Sequence, residues 1–150
     1  MQSFTSRLRT SIAISVIAFA CGSPKAEHPD IPASGAFERT LQHDLDTYFA
    51  AGESVSIHVA YELLRDQPTI TGIAYPKYYL WVTVRSDQRV LRVGAARVAA
   101  INKSFEVTNF VPAEYLVQHP GYAASIFPAA LVSAIESRAR NAPASPKRGA

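Results

Sequence analysis

Tyr78-Tyr79-Leu80-Trp81-Val82-Thr83-Val84 opens the stretch 78–111 whose reading decides the fold. Its β-branched and aromatic residues fit a pleated, half-buried surface. Asp87-Gln88 breaks the run, residues 89–101 resume it, Asn102-Lys103-Ser104 breaks it again, and residues 105–111 close it. Polar breaks this short favour antiparallel neighbours, because a parallel crossover takes about a dozen residues or more. The stretch predicts a three-stranded antiparallel meander.

Within the first of these strands Tyr78, Leu80, Val82 and Val84 make one face, mainly aliphatic and directed to a core. Tyr79, Trp81, Thr83 and Arg85 make the other, aromatic and polar together. Tyr79, Trp81 and Arg85 are the candidate interface, since Tyr, Trp and Arg dominate binding anchors. The alternative is that a loop or the C-terminal helix covers this face and makes Trp81 a second-core residue. In the next strand Leu91 and Val93 agree with one register, Val98 and Ala100 with the other. A bulge or bend near Gly94 reconciles them. Pro112 ends the sheet and is suited to start a helical turn over 113–116.

Outward from this core, residues 55–63 alternate cleanly: Val55, Ile57, Val59, Tyr61 and Leu63 against Ser56, His58, Ala60 and Glu62. A strand is expected there, and residues 65–68 read as a turn. Residues 69–74 read as a short strand or an irregular edge, with Pro76 marking a break. Before it, Phe37, Leu41, Leu45, Tyr48 and Phe49 form the apolar stripe of a helix over 34–51, with Ser34 as its N-cap and Gly52 as its stop. A last helix is predicted over 128–140, carried by Leu131, Val132, Ile135 and Ala139. Residues 34–141 thus read as a single α+β domain, an N-terminal helix packed on a four- to five-stranded antiparallel sheet with a C-terminal helix, the helices on one face. This order of elements resembles cystatin-like and NTF2-like folds. Gln88-Arg89-Val90-Leu91-Arg92 begins like the cystatin inhibitory hairpin, but Arg92 stands where that motif has Gly, so protease inhibition does not follow.

The chain of 150 residues carries 15 Lys/Arg against 12 Asp/Glu. The excess is terminal: within 34–141 there are ten of each, so the body is neutral. No basic stripe is present, and a nucleic-acid partner is not expected.

Arg7 and Arg9 precede the apolar run 11–20, which is too short to span a bilayer and has the form of a signal peptide over 1–20. The only cysteine, Cys21, follows at once. Ala18-Phe19-Ala20-Cys21 resembles a bacterial lipobox, with Ala18 where the family usually has Leu. The resemblance implies a lipoprotein, lipidated at Cys21 and anchored in the cell envelope to a membrane facing the periplasm. Gly22, rather than Asp, next to the cysteine implies the outer membrane. The alternative is plain cleavage after Ala20, which leaves Cys21 unmodified and the protein soluble in the periplasm or secreted. Residues 21–33, with Pro24, Pro29 and Pro32, read as a flexible tether, and residues 142–150 as a disordered tail.

No phosphate-cradling glycine loop, nucleophile elbow or metalloprotease helix occurs. No cofactor and no metal is implied. His43 and Asp46, one turn apart, read as a solvated helix face. Two functions from different classes remain. The first is a non-enzymatic, membrane-tethered envelope module that binds another protein. The second is a small-molecule-binding or weakly enzymatic domain whose pocket holds His58, Glu62 and Glu106.

Overall fold

The computed structural model describes residues 28–87 and 89–143. The expected signal peptide over 1–20, Cys21, the first part of the expected tether and most of the expected tail lie outside them. Helix α1 spans Ser34–Ala50, and Leu41, Leu45 and Phe49, spaced four apart, are its buried residues. Its first turn hangs on the Ala33 carbonyl, which accepts the Ala36 and Phe37 amides at 2.8 and 3.0 Å. Ser34 is therefore the first helical residue and not the cap; no side chain caps this end. Gly52 ends the helix as expected, at a left-handed φ of 81°.

Four strands follow: β1 (His58–Leu63), β2 (Lys77–Ser86), β3 (Arg89–Ile101) and β4 (Ser104–Pro112). They form one antiparallel sheet in the order β1-β2-β3-β4. β1 begins three residues later than the alternation at Val55 predicts, and Val55 is exposed. A fifth strand does not form, because residues 69–74 contribute only the single bridge Thr69–Lys77. The β3–β4 hairpin closes on Asn102 and Lys103, both at positive φ (50° and 63°), with Ile101 paired to Ser104. Two such residues make the type I′ turn whose twist matches the strands.

Helix α2 (Ala113–Gln118), a 3-10 turn (Tyr122–Ser125) and α3 (Ala129–Arg140) complete the fold. They do not join α1. Leu41, Leu45 and Phe49 pack with Leu80, Val82, Val84, Val98 and Phe105 on one face of the sheet. Tyr79, Val93, Ala95 and Val111 pack with Leu116, Phe127, Ile135 and Ala139 on the other. The expectation of helices on one face is corrected: the sheet is sandwiched between helical layers. Covering both faces also explains the apparent change of phase in β3. Val93 serves one core and Val98 the other, so both are buried without a bulge between them.

Gly94 pairs regularly with Val82, and the register shifts lie elsewhere, with Leu91 extra on β3 and Thr108 extra on β4. What Gly94 provides is room. A Cβ there would lie 2.2 Å from the Val111 carbonyl oxygen and 3.0 Å from the Phe110 ring. Only glycine permits β4 to cross so close.

Residues 28–33, read from composition as part of the tether, are docked. The Asp30 side chain accepts the Asn102 amide at 3.0 Å, its carbonyl accepts the Lys103 amide at 2.9 Å, and Ile31 packs on the α1 core.

Candidate functional site

The three residues of the expected interface separate in the fold. Tyr79 is buried, its ring edge-on to Phe127 with centroids 6.2 Å apart. Trp81 is half-buried against the same cluster, and only Arg85 is exposed. The layer that carries α3 covers this face, so Tyr79, Trp81 and Arg85 do not form an exposed patch, and Trp81 belongs to the second core.

The three residues of the expected pocket do not meet either. His58 and Glu62 lie exposed on β1, whereas Glu106 lies on β4, with β2 and β3 between them. Glu62 stands opposite Trp81 in the β1–β2 register and holds Arg138 of α3 through two bonds, Nη1–Oε2 at 2.7 Å and Nη2–Oε1 at 2.5 Å. The guanidinium's hydrogen bonds hold the Glu62 carboxyl below its usual range and raise the Arg138 guanidinium in turn. Glu62 is a clamp that ties the edge strand to α3. Its acceptor oxygens are occupied, which leaves it poorly placed to act as a base.

The acidic residues of α1 are likewise committed to the backbone. Asp44 Oδ2 accepts the Phe105 amide of β4 at 2.7 Å, and Asp46 Oδ1 accepts the Val59 amide of β1 at 3.1 Å. Gln42 donates to the Val59 carbonyl at 2.8 Å and to Asp46 at 3.1 Å. Asp46 is thus no solvated residue waiting beside His43, and among the described residues no group of three or more His, Cys, Asp or Glu is placed to hold a metal ion.

Two surface features of the described residues bear on function here. One is an open cleft of about 840 Å³ beside the start of α1, with Ile31, Phe37, Leu63 and Tyr78 for apolar walls and Glu38 and Asp66 at its rim. Burial raises the Tyr78 phenol above its ordinary range. None of His58, Glu62 and Glu106 lines it.

The other is an aromatic surface on α2 and the 3-10 turn. The Tyr115 and His119 rings stack with centroids 4.0 Å apart and 20° between planes, and Tyr122 meets Tyr115 edge-on at 4.9 Å. Tyr115 and Tyr122 are each 39% exposed. His119 Nδ1 lies 3.0 Å from the Tyr115 carbonyl, and Gly121 at φ 85° turns the chain back so that Tyr122 reaches Tyr115. Glu136 of α3 fixes that reversal by accepting the Gly121 amide at 3.1 Å. The helical turn expected over 113–116 contains Tyr115 but stops short of His119, so the sequence expectation does not join the two rings. The signal was the spacing of four between Tyr115 and His119, which stacks side chains on a helix, followed by a glycine that reverses the chain.

No family model matches this chain, and no curated protein or solved structure matches it. No helix among the described residues is long and apolar enough to cross a membrane.

Proposed function

We propose that this chain is an exported envelope lipoprotein, anchored through Cys21 to a membrane facing the periplasm, that works by binding another protein. The binding surface in this reading is the Tyr115–His119–Tyr122 cluster, in place of the strand face that α3 covers. The observation that carries it is the stacking of these rings on one another while Tyr115 and Tyr122 stay substantially exposed. Aromatic anchors ordered before the partner arrives lose less side-chain freedom on binding. The commitment of Glu62, Asp44 and Asp46 to structural hydrogen bonds supports binding over catalysis.

The test has two arms. Cys21→Ser should move the full chain from the membrane fraction to a soluble one or stall its processing, since two or more acyl chains give stable anchoring. Unchanged mass and fractionation would overturn the anchor. Separately, a photo-crosslinking residue replacing Tyr122 in cells should trap one defined protein, and one replacing exposed Thr108 should not. Equal trapping at both would overturn the binding surface.

The cleft favours a second reading, a domain that takes a small apolar ligand against Phe37, Leu63 and Tyr78. A Tyr78→Phe chain that bound fluorescent apolar probes no differently from Phe37→Ala and wild type would count against it.

A further inference from the structure

The connection between β1 and β2 carries no Asp, Glu, Lys or Arg from Gln67 to Pro76. It nevertheless projects apolar side chains into water. Ile73 is fully exposed, Ile70 is 51% exposed and Tyr75 49%. The projection is ordered. Thr69 and Lys77 close its stem with reciprocal amide–carbonyl bonds of 2.8 and 2.9 Å, and Ala74 donates to the Thr71 carbonyl at 3.0 Å around Gly72, whose φ is 57°. Arg65 and Lys77 flank the stem, and Arg65 donates to the Thr69 hydroxyl at 3.3 Å. A structured loop that exposes Ile73 near its turn, exposes Ile70 and Tyr75 beside its stem, and has cations at its base has the chemistry of a bilayer interface. Aliphatic groups enter the hydrocarbon, a tyrosine sits at headgroup depth, and Lys or Arg lies at the phosphates.

The loop's position in the chain points the same way. Ile70 lines the cleft together with His28 and Ile31. His28 is preceded by 27 residues that include the apolar run 11–20 and Cys21. Cys21 lies seven positions before His28, a distance of at most about 25 Å when the chain is fully extended. A membrane that holds Cys21 therefore lies within that distance of the end of the domain that bears the loop. A protein partner fits the loop less well. Three apolar side chains fall short of the roughly 800 Å² per partner of a standard interface. A bilayer demands no matching surface.

We infer that residues 69–76 form a membrane-contacting loop, with Ile70, Ile73 and Tyr75 entering the periplasm-facing leaflet of a bilayer as a second point of attachment. This rests on the reading that the segment before His28 holds the chain at a membrane. The loop belongs to the end of the domain near the tether, whereas Tyr115 and Tyr122 lie in the helical layer on the far face of the sheet from α1. Lipid contact through the one leaves the other free for a partner.

The experiment uses the full chain with Cys21→Ser, so that a single introduced thiol carries an environment-sensitive fluorophore, mixed with phosphatidylcholine vesicles containing a spin-labelled quencher lipid. One label sits on Ile73→Cys, the other on Arg89→Cys at the opposite end of the sheet. The expected result is a blue shift and severalfold stronger quenching at position 73 than at 89. Equal quenching at both positions, an unquenched label at 73 on vesicle-bound chain, or no vesicle association would each overturn the inference; an unquenched label would leave the loop to a protein partner. Failure of the lipoprotein reading is seen elsewhere, in the mass and fractionation of the unaltered chain. The contrast between the two labels does not depend on how Cys21 is processed.

Discussion

The Asp46 carboxylate accepts the Val59 amide at 3.1 Å, so α1 holds the outer edge of β1 by the backbone. Two residues earlier, Asp44 does the same for Phe105 on β4 at 2.7 Å. Residues two apart point to opposite flanks of a helix. One helix thus reaches both edge strands and occupies edge groups that would otherwise face solvent or another chain.

Removing one clasp leaves a partly buried amide without its acceptor. Asp46→Ala should cost about 1–3 kcal/mol, read from denaturant unfolding. Asp44→Ala should cost a similar amount, and the two should add, since they serve opposite edges. A double variant no less stable than either single variant would show that the clasps are not independent.

Leu45 has no exposed surface and sits between α1 and the sheet. Leu45→Ala should destabilise by about 2–5 kcal/mol. A loss below about 1 kcal/mol would mean that the helix does not pack there.

Gly94→Ala tests the close crossing of β4. With the new Cβ aimed 2.2 Å from the Val111 oxygen, the strand must move, and backbone cannot swing aside as a flexible side chain can. The expected loss is about 1–3 kcal/mol or more, seen as a lowered Tm. Alanine tolerated without change would contradict the geometry.

Trp81→Ala separates packing from recognition. Trp81 is half-buried against the second core, so truncation should lower stability by roughly half the 3–5 kcal/mol of a fully buried Trp. An unchanged Tm would return Trp81 to the surface reading.

Acid should weaken the tie between β1 and α3. Hydrogen bonds from Arg138 lower the Glu62 pKa below its ordinary 4.5. A depressed folded-state pKa contributes stability above the unfolded value and loses it as pH falls through the folded one. The Tm difference between wild type and Glu62→Gln should therefore be present at neutral pH and close as pH falls below the ordinary carboxylate range, through the lowered Glu62 pKa. It should be small and shrink with added salt, because the pair is exposed. A difference that widened in acid would reverse the assignment.

Much of the fold was legible because its signals are local. The spacing of Leu41, Leu45 and Phe49, the alternation of Val59, Tyr61 and Leu63, and the short polar breaks at Asp87 and Asn102 each follow from a helix or strand period, or from a turn. The docking of Ile31 was not legible, since a proline-rich composition describes a free chain and says nothing of Asp30 meeting the Asn102 hairpin. The ring stack around Tyr115 was half legible, because its helical spacing is in the sequence but its closure depends on the reversal at Gly121.

The sequence by itself determined that β2 has two unlike faces and that Leu80, Val82 and Val84 belong to a core, because side chains alternate across a strand whatever surrounds it. Alternation does not say what covers the second face. Only the tertiary structure decided that α3 folds back over Tyr79 and Trp81, tied to β1 by Arg138 and Glu62, while Tyr115, Tyr122 and Ile73 stay in water. The physical reason is that burial of an amphipathic face depends on where distant segments return, and that return is set by the summed packing of both layers rather than by the period of either element.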